Sequence, residues 1–278
     1  MKIIDCFTFN NELETLEIRL KLLYDHVDYF ILCESNMAHS GKNKPYYYDE
    51  NKSRYEKYKD KIVHVMIEQS IEGVEFRNVN SYDPTNGSWI LEHGHRNSFS
   101  LAESVISNND IVLIGDLDEI PSHESLEFLK NNYYIVEKHP VSFSLIFHYY
   151  FLNCQRNGFE RIWNGTVAVS GDHFKKTSPQ EHRDNRNSYS RLPNAGWHFS
   201  YLGGYEMIKT KIESFAHTEF NTPEINNREH IDKCLNAGID IFNRPDISYD
   251  FVTTKKYPLY IQEIMAEYPH LVREVQIN

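Results

Sequence analysis

Within its first 116 residues the chain alternates apolar runs of strand length with helical spacing: KIIDCFTF (residues 2–9), DYFILCE (28–34), KIVHVMI (61–67) and DIVLIG (110–115). Short apolar runs bounded by turn formers read as buried strands. Between the first two, Leu13, Leu16, Leu20, Leu23 and Val27 recur at helical intervals, and Asn11 with Glu14 has the spacing of a capping box. After Asn86-Gly87, Ser88 is expected to cap a second helix running to about Ser107, with Leu91, Ala102 and Val105 on its apolar face. Strand and helix in this order imply an α/β fold with a parallel, right-handed doubly wound sheet. Ligands of such sheets sit at the carboxyl ends of the strands. Phe9-Asn10, Glu34-Ser35 and residues 116–119 each end a predicted strand and so fall on one rim.

The second half is less regular. Residues 141–151 and 161–170 read as strands of a mixed or antiparallel portion, and GWHFSYLGG (196–204) as a short strand closed by a glycine turn. YEMIKTKIESFA (205–216) is helical, and Thr222-Pro223 is expected to start a helix that Gly238 ends. Residues 175–194 lack periodicity and are rich in turn formers, so a long loop is expected there. No repeat, low-complexity tract or linker divides the 278 residues, which implies a single domain.

Composition narrows the partners. A formal net charge of -11 argues against a nucleic-acid backbone, whose recognition needs clustered Lys and Arg. Aromatics reach 14% of residues, which leans towards a carbohydrate cleft. Cys6, Cys33, Cys154 and Cys234 are far apart, form no CxxC pair and read as reduced residues. Asp5 interrupts the N-terminal apolar run too early for a signal peptide, and no run of about 18 apolar residues occurs, so a soluble cytoplasmic protein without a membrane span is expected.

The densest chemistry lies in GDLDEIP, where Asp116, Asp118 and Glu119 follow a buried strand at once and Pro121 closes the run. Residues two apart in extended backbone project to the same side. A same-side carboxylate pair suits a hard cation such as Mg²⁺ or Mn²⁺ that shares its remaining positions with substrate phosphates. The alternative is a solvated acidic turn, with Ser122 capping the helix HESLEFLK. Two chemistries use such a pair. One is nucleotide-sugar transfer, in which the cation neutralises charge on the leaving diphosphate. The other is the aspartyl-nucleophile phosphatase of the haloacid dehalogenase class. Against the latter, Ile120 stands where that motif has Thr or Val, and three strands precede the pair. A catalytically silent sugar-binding protein is a third reading.

Taken together, NNELETLEIRL (10–20), FILCESN with the later Gly41 and Pro45, Trp89 with Arg96, DLDEIP, and AGWHFSY followed by Glu206 and Lys211 resemble glycosyltransferase family 17. This is the family of the β-1,4-mannosyl-glycoprotein 4-β-N-acetylglucosaminyltransferases. The likeness covers about residues 1–245. It implies a GT-A type fold: a Rossmann-like, mostly parallel sheet with helices on both faces and a smaller mixed acceptor-side portion. On that pattern about 1–121 form a nucleotide-sugar-binding half, about 122–245 an acceptor-side half and 246–278 a C-terminal extension. It also implies metal-dependent, inverting transfer of N-acetylglucosamine from UDP-N-acetylglucosamine to a glycan or glycoconjugate, with Mn²⁺ or Mg²⁺ as cofactor. The membrane anchor and stem of the family's animal enzymes have no counterpart in this sequence, so their acceptor does not carry over.

The resemblance gives the rim residues expected roles. Asp118 is expected to coordinate the metal, and Asp116 to touch the ribose or donor sugar or to add a ligand bond. Glu119 either holds a Lys or Arg behind the site or caps the following helix. Asn10, Glu12 and Glu34 stand where a uridine would sit, although Glu12 equally fits as a first-turn carboxylate. Arg96 forks onto the diphosphate or the rim carboxylates, or forms an i,i+4 pair with Glu92. His198 and His217 are candidates for a third metal ligand or a phosphate donor. Trp197 is core or a sugar platform. Lys211 pairs with the diphosphate or is solvated. Inversion needs a carboxylate to take the acceptor proton. Glu206 is the first candidate, with Asp172 and Glu181 as alternatives.

Overall fold

The computed structural model describes residues 1–77, 82–158 and 161–275. Alternation along β1 (Ile3–Phe9) sets up two cores, because Ile3, Phe7 and Phe9 enter one apolar cluster while Ile4 and Cys6 enter another. The next strands repeat the pattern. In β2 (Tyr29–Ser35), Phe30 and Leu32 join the first cluster, and Ile31 and Cys33 the second. The intervening helix α1 (Leu13–Leu23) buries Leu16, Leu20 and Leu23 on the first face. A short helix α2 (Tyr47–Glu50) and a 3₁₀ helix (Lys52–Lys61) lead into β3 (Ile62–Ile67). Helix α3 (Gly87–Asn97), continued by a 3₁₀ stretch (Ser98–Val105), leads into β4 (Ile111–Asp116). Phe99 and Ala102 of that stretch cover the second face.

These four strands are parallel in the order β3-β2-β1-β4, with Phe9 beside Glu34 and Thr8 beside Asp116, so their carboxyl ends form one rim. Beyond β4 the sheet changes character. β5 (Glu119–Pro121), α4 (His123–Asn131) and α5 (Tyr134–Lys138) precede β6 (Val141–Tyr149) and β7 (Cys154–Arg156). β8 (Ile162–Ser170) then lies antiparallel between β6 and β4. The chain continues through α6 (Gly171–Lys176), α7 (Pro179–Asp184), β9 (Ser190–Leu192), β10 (Gly196–Ser200), α8 (Gly204–Ser214), α9 (Arg228–Ala237), β11 (Tyr249–Phe251) and α10 (Leu259–Glu267). The expectation of a mostly parallel sheet therefore holds for β1 to β4, whereas the whole eleven-stranded sheet is mixed. Residues 246–275 pack into it: β11 pairs with β7, and Ile261, Ile264 and Met265 of α10 share the cluster of Ile3 and Leu16. Residues 276–278 of the expected extension lie outside the described residues.

Four local expectations are corrected. Helix α1 starts from Glu12 with no side-chain cap, so the Asn11/Glu14 box does not form. Helix α3 starts one residue before Ser88 and gives way to 3₁₀ geometry at Ser98, whose hydroxyl donates back to His95 O at 2.6 Å. The helix expected from Pro223 begins at Arg228, where the Asn227 side chain accepts from His230 N at 2.9 Å, and Gly238 ends it as expected. Residues 175–194 are not a loop but hold α7, a 3₁₀ turn and β9. All four cysteines are free and buried. Among the described residues no helix is long and apolar enough to cross a membrane.

Candidate active site

The turn after β4 is held from behind. Arg19 stands on the apolar face of α1, is fully buried, and forks onto Asp5 of β1 at 2.8 and 2.7 Å. Its remaining nitrogen donates to the carbonyls of Asp116, Leu117 and Glu119 at 3.0, 2.9 and 2.7 Å. One guanidinium thus fixes three carbonyls of the turn, which a Lys ammonium lacks the geometry to do.

Glu119, whose role the sequence leaves open, turns inward. Its carboxylate accepts from Trp163 Nε1 at 2.6 Å, Thr166 Oγ1 at 3.2 Å, Arg183 Nη1 at 2.9 Å and the backbone N–H of Asp116 at 3.2 Å. The space for it comes from Gly165, where a Cβ would lie 2.8 Å from the Glu119 carboxyl carbon. Glu119 therefore anchors Arg183, as one of its two expected roles holds, and it does not cap α4. That cap is Ser122, which accepts from Ser125 N at 3.2 Å.

Asp116 and Asp118 face a cleft of about 980 Å³. Each Asp116 oxygen accepts from a guanidinium, Arg96 at 2.9 Å and Arg183 at 2.7 Å. Burial would raise the Asp116 carboxyl, but Arg183 and Arg96 outweigh it and hold the group well below the usual carboxylate range. Arg96 also meets Glu92 at 3.1 Å, so it contacts a rim carboxylate and its i,i+4 neighbour at once. Asp118 accepts from Lys211 Nζ at 2.7 Å and lies 3.2 Å from His198 Nε2. Burial is again outweighed, here by Lys211 and His198, and Asp118 stays strongly acidic while Lys211 is raised above its ordinary value.

The position of His198 follows from Gly196. There φ is 145°, and a Cβ would lie 2.1 Å from the Ile120 carbonyl oxygen. Glycine thus lets β10 close on β5, setting His198 opposite Glu119 while Phe199 N donates to Asp118 O at 2.8 Å. Trp197, on the other face of β10, enters the main core and is not a cleft platform.

The remaining candidates separate by placement. Asn10 and Glu12 line the cleft; Asn10 donates to Ser214 Oγ at 3.1 Å, and Glu12 lies 3.8 Å from Lys211. Glu34 does not line it: fully buried, it accepts from Tyr48 N at 2.9 Å and lies 3.2 Å from His64 Nε2. His217 lines the cleft but joins Glu219 at 2.8 Å and sits edge-on to Trp89, away from the Asp118–His198 pair. Glu206 and Glu181 are exposed, Asp172 is half-buried, and none lines the cleft; Asp172 is paired with Lys176 at 2.6 Å.

For a divalent cation the donor set offers Asp118 and His198, a carboxylate and an imidazole that suit Mn²⁺. Lys211 already places a positive charge on the second Asp118 oxygen. No group of three His, Cys, Asp or Glu side chains arranged for a metal occurs among the described residues. Asp116, with both oxygens on guanidinium groups, fits a charge clamp better than a ligand.

Sequence reading missed Arg19 and Arg183. Arg19 carried a signal, being a lone cation on an apolar helix face. Arg183 carried a fainter one: Ser178-Pro179-Gln180-Glu181 is a helix-start pattern, and Ser178 Oγ accepts from Glu181 N at 3.2 Å.

Comparison with known proteins gives three findings. The profile of glycosyltransferase family 17 matches residues 1–268. The β-1,4-mannosyl-glycoprotein 4-β-N-acetylglucosaminyltransferases of Rattus norvegicus and Homo sapiens are 26% identical over 136 residues, 46% of this chain. The match spans 23% and 24% of those relatives' own length. The crystal structure of S. aureus TarS 1–349 superposes with a TM-score of 0.39 and 12% identity, covering 84% of this chain and 69% of that one.

Proposed function

This chain belongs to glycosyltransferase family 17, and on that premise we propose that its cleft binds UDP-N-acetylglucosamine and transfers the sugar, with inversion, to a glycan hydroxyl. The observation that carries this reading is the pair of acidic groups at the end of β4, each held by cations and both facing one cleft. Asn10 and Glu12 at the end of β1 stand beside the nucleotide. Lys211 and Arg96 bring positive charge to the diphosphate, and Asp116 orients Arg96. Asp118 and His198 would hold a Mn²⁺ or Mg²⁺ ion, which when bound supplies Lewis-acid neutralisation of the leaving diphosphate.

The acceptor oxygen forms a bond to the anomeric carbon as the bond to the diphosphate breaks, and UDP leaves with the electron pair. The acceptor proton needs a base inside the cleft, and Glu206, Asp172 and Glu181 are not among the residues that line it. We assign the proton to His217: its Nδ1–H donates to Glu219 at 2.8 Å, which fixes the tautomer and leaves Nε2 as the acceptor.

The test is UDP release from UDP-N-acetylglucosamine with Mn²⁺. Asp118→Asn is expected to abolish it. His217→Gln is expected to lower kcat by about 10²–10⁴-fold with little change in UDP affinity. Turnover of p-nitrophenyl phosphate that requires Asp116, without nucleotide-sugar use, would favour the phosphatase reading. The double guanidinium clamp on Asp116 argues against that nucleophile.

A further inference from the structure

The wall of the cleft beyond Asp118 repeats one arrangement, an arginine laid over an aromatic ring. Arg186 lies 5.7 Å from the Trp163 ring centre, and Arg156 lies 5.3 Å from that of Phe147. Phe147 in turn stacks on His198 at 4.6 Å with the rings within 5° of parallel, and Trp163 lies 5.1 Å from the same imidazole. The aromatic surface thus runs unbroken from the group beside Asp118 out to the arginines. Flat aromatic faces suit the apolar faces of sugar rings.

Arg186 differs from its neighbours in its partners. Arg183 and Arg96 are matched by Asp116, Glu119 and Glu92, and a third stacked arginine, Arg244, is matched by Asp240 at 2.7 Å. Arg186 donates from Nε to Asn164 O at 3.0 Å and from Nη1 to Arg183 O at 2.8 Å, and forms no ion pair among the described residues. It is half-buried. Burial and the neighbouring Arg183 charge lower its pKa, so the folded protein holds there a cation short of counter-charge. Asp116 and Glu119 act on it from nearby but are already engaged by Arg183. Asp184, also on the wall, accepts from Gln180 at 2.8 Å. In a protein whose net charge is -11, a half-buried guanidinium with carbonyl partners alone is a site for an incoming anion.

Strand order sets this anion across β4 from the nucleotide end of the cleft. Trp163 and Asn164 belong to β8, which pairs with β4 on the side opposite β1 and β2, where Asn10 and Glu12 mark the nucleotide end. We propose that Arg186 and Trp163, with Arg156 and Phe147, form an acceptor subsite for a negatively charged glycan, one carrying a carboxylate or phosphate. The proposal rests on the glycosyltransferase reading of the same cleft. Trp163 takes the face of the ring while Arg186 forks onto its anionic group, so a neutral sugar of the same shape meets the platform but leaves the guanidinium unmatched.

Calorimetry on the full chain tests this with three probes: a glucuronate-containing tetrasaccharide, the same tetrasaccharide with its carboxylates reduced to alcohols, and a phosphorylated mannose disaccharide. UDP with Mn²⁺ is titrated in parallel. The charged tetrasaccharide or the phosphorylated sugar is expected to bind roughly 10- to 100-fold more tightly than the reduced one, the scale of one charge-assisted hydrogen bond. Which of the two binds identifies the anionic group. Arg186→Gln is expected to erase the preference while keeping wild-type affinity for UDP, which also shows that the variant is folded. Equal binding of charged and reduced sugars, or binding of neither anionic probe, overturns the subsite. A loss of UDP affinity in Arg186→Gln overturns it too, by placing the guanidinium on the donor. Absence of UDP binding in the wild type sinks the donor reading instead.

Discussion

Arg19 shows how much of the site depends on a residue that never faces the cleft. Its ion pair with Asp5 and two of its three carbonyl bonds are buried and the third is partly so, and removing the guanidinium strands a carboxylate and three acceptors together. Arg19→Met is expected to destabilise the protein by about 3–5 kcal/mol, read as a fall in the urea midpoint. Adding Asp5→Leu should recover part of the loss, because the stranded charge is gone; no recovery would mean that the carbonyl bonds dominate. At this scale the sequence marks chemistry better than it marks support. Asp116 and Asp118 stood out by spacing, whereas Glu119 could be placed only by finding Trp163, Thr166 and Arg183 around it, residues 44 to 64 positions away.

Among elements, the strands ending at Phe9, Ser35 and Asp116 were legible because period-two burial on a doubly covered sheet leaves long apolar runs. The short helix α7 was not: six residues give too little periodicity to stand out in a polar segment. Yet α7 carries both Gln180, which Arg96 reaches, and Arg183. Its start depends on Ser178, and Ser178→Ala is expected to cost about 1 kcal/mol. Differential scanning calorimetry should register this as a Tm lowered by about 2–4 °C. An unchanged Tm would mean that Arg183 alone secures the helix through its two carboxylates. The corrected boundaries have similar causes, since Ser98 bonding back to His95 and Asn227 capping α9 are local contests that spacing does not rank.

Across the whole molecule, buried neutral imidazoles are expected to weaken stability in acid. His148 lies between Ile146 O at 3.0 Å and the Tyr257 hydroxyl at 2.8 Å, so Nδ1 donates to the carbonyl and Nε2 accepts. Burial lowers its pKa to about 3, and burial also lowers those of His39 and His95. The unfolded chain therefore takes up protons first as pH falls below about 6.5. Stability is full above that value and falls towards pH 3, by up to roughly 1.4 kcal/mol per pH unit for each such group. Asp116 and Asp118, held acidic by their cations, add a loss of the same sign only below the ordinary carboxylate range. Tm measured from pH 7 to 4 should fall steadily, and His148→Asn should flatten the slope; a flat wild-type profile would contradict the assignment.

The packing of α10 has a consequence at a distance. Ile261, Ile264 and Met265 fill the same cluster as Leu16 and Leu20 of α1, the helix that carries Arg19, and Leu152 N donates to Leu271 O at 2.8 Å. The turn bearing Asp116 and Asp118 is therefore braced by a helix that is itself backed by α10. Loosening α10 would reach the rim through α1 and Arg19, without any change to a residue that lines the cleft.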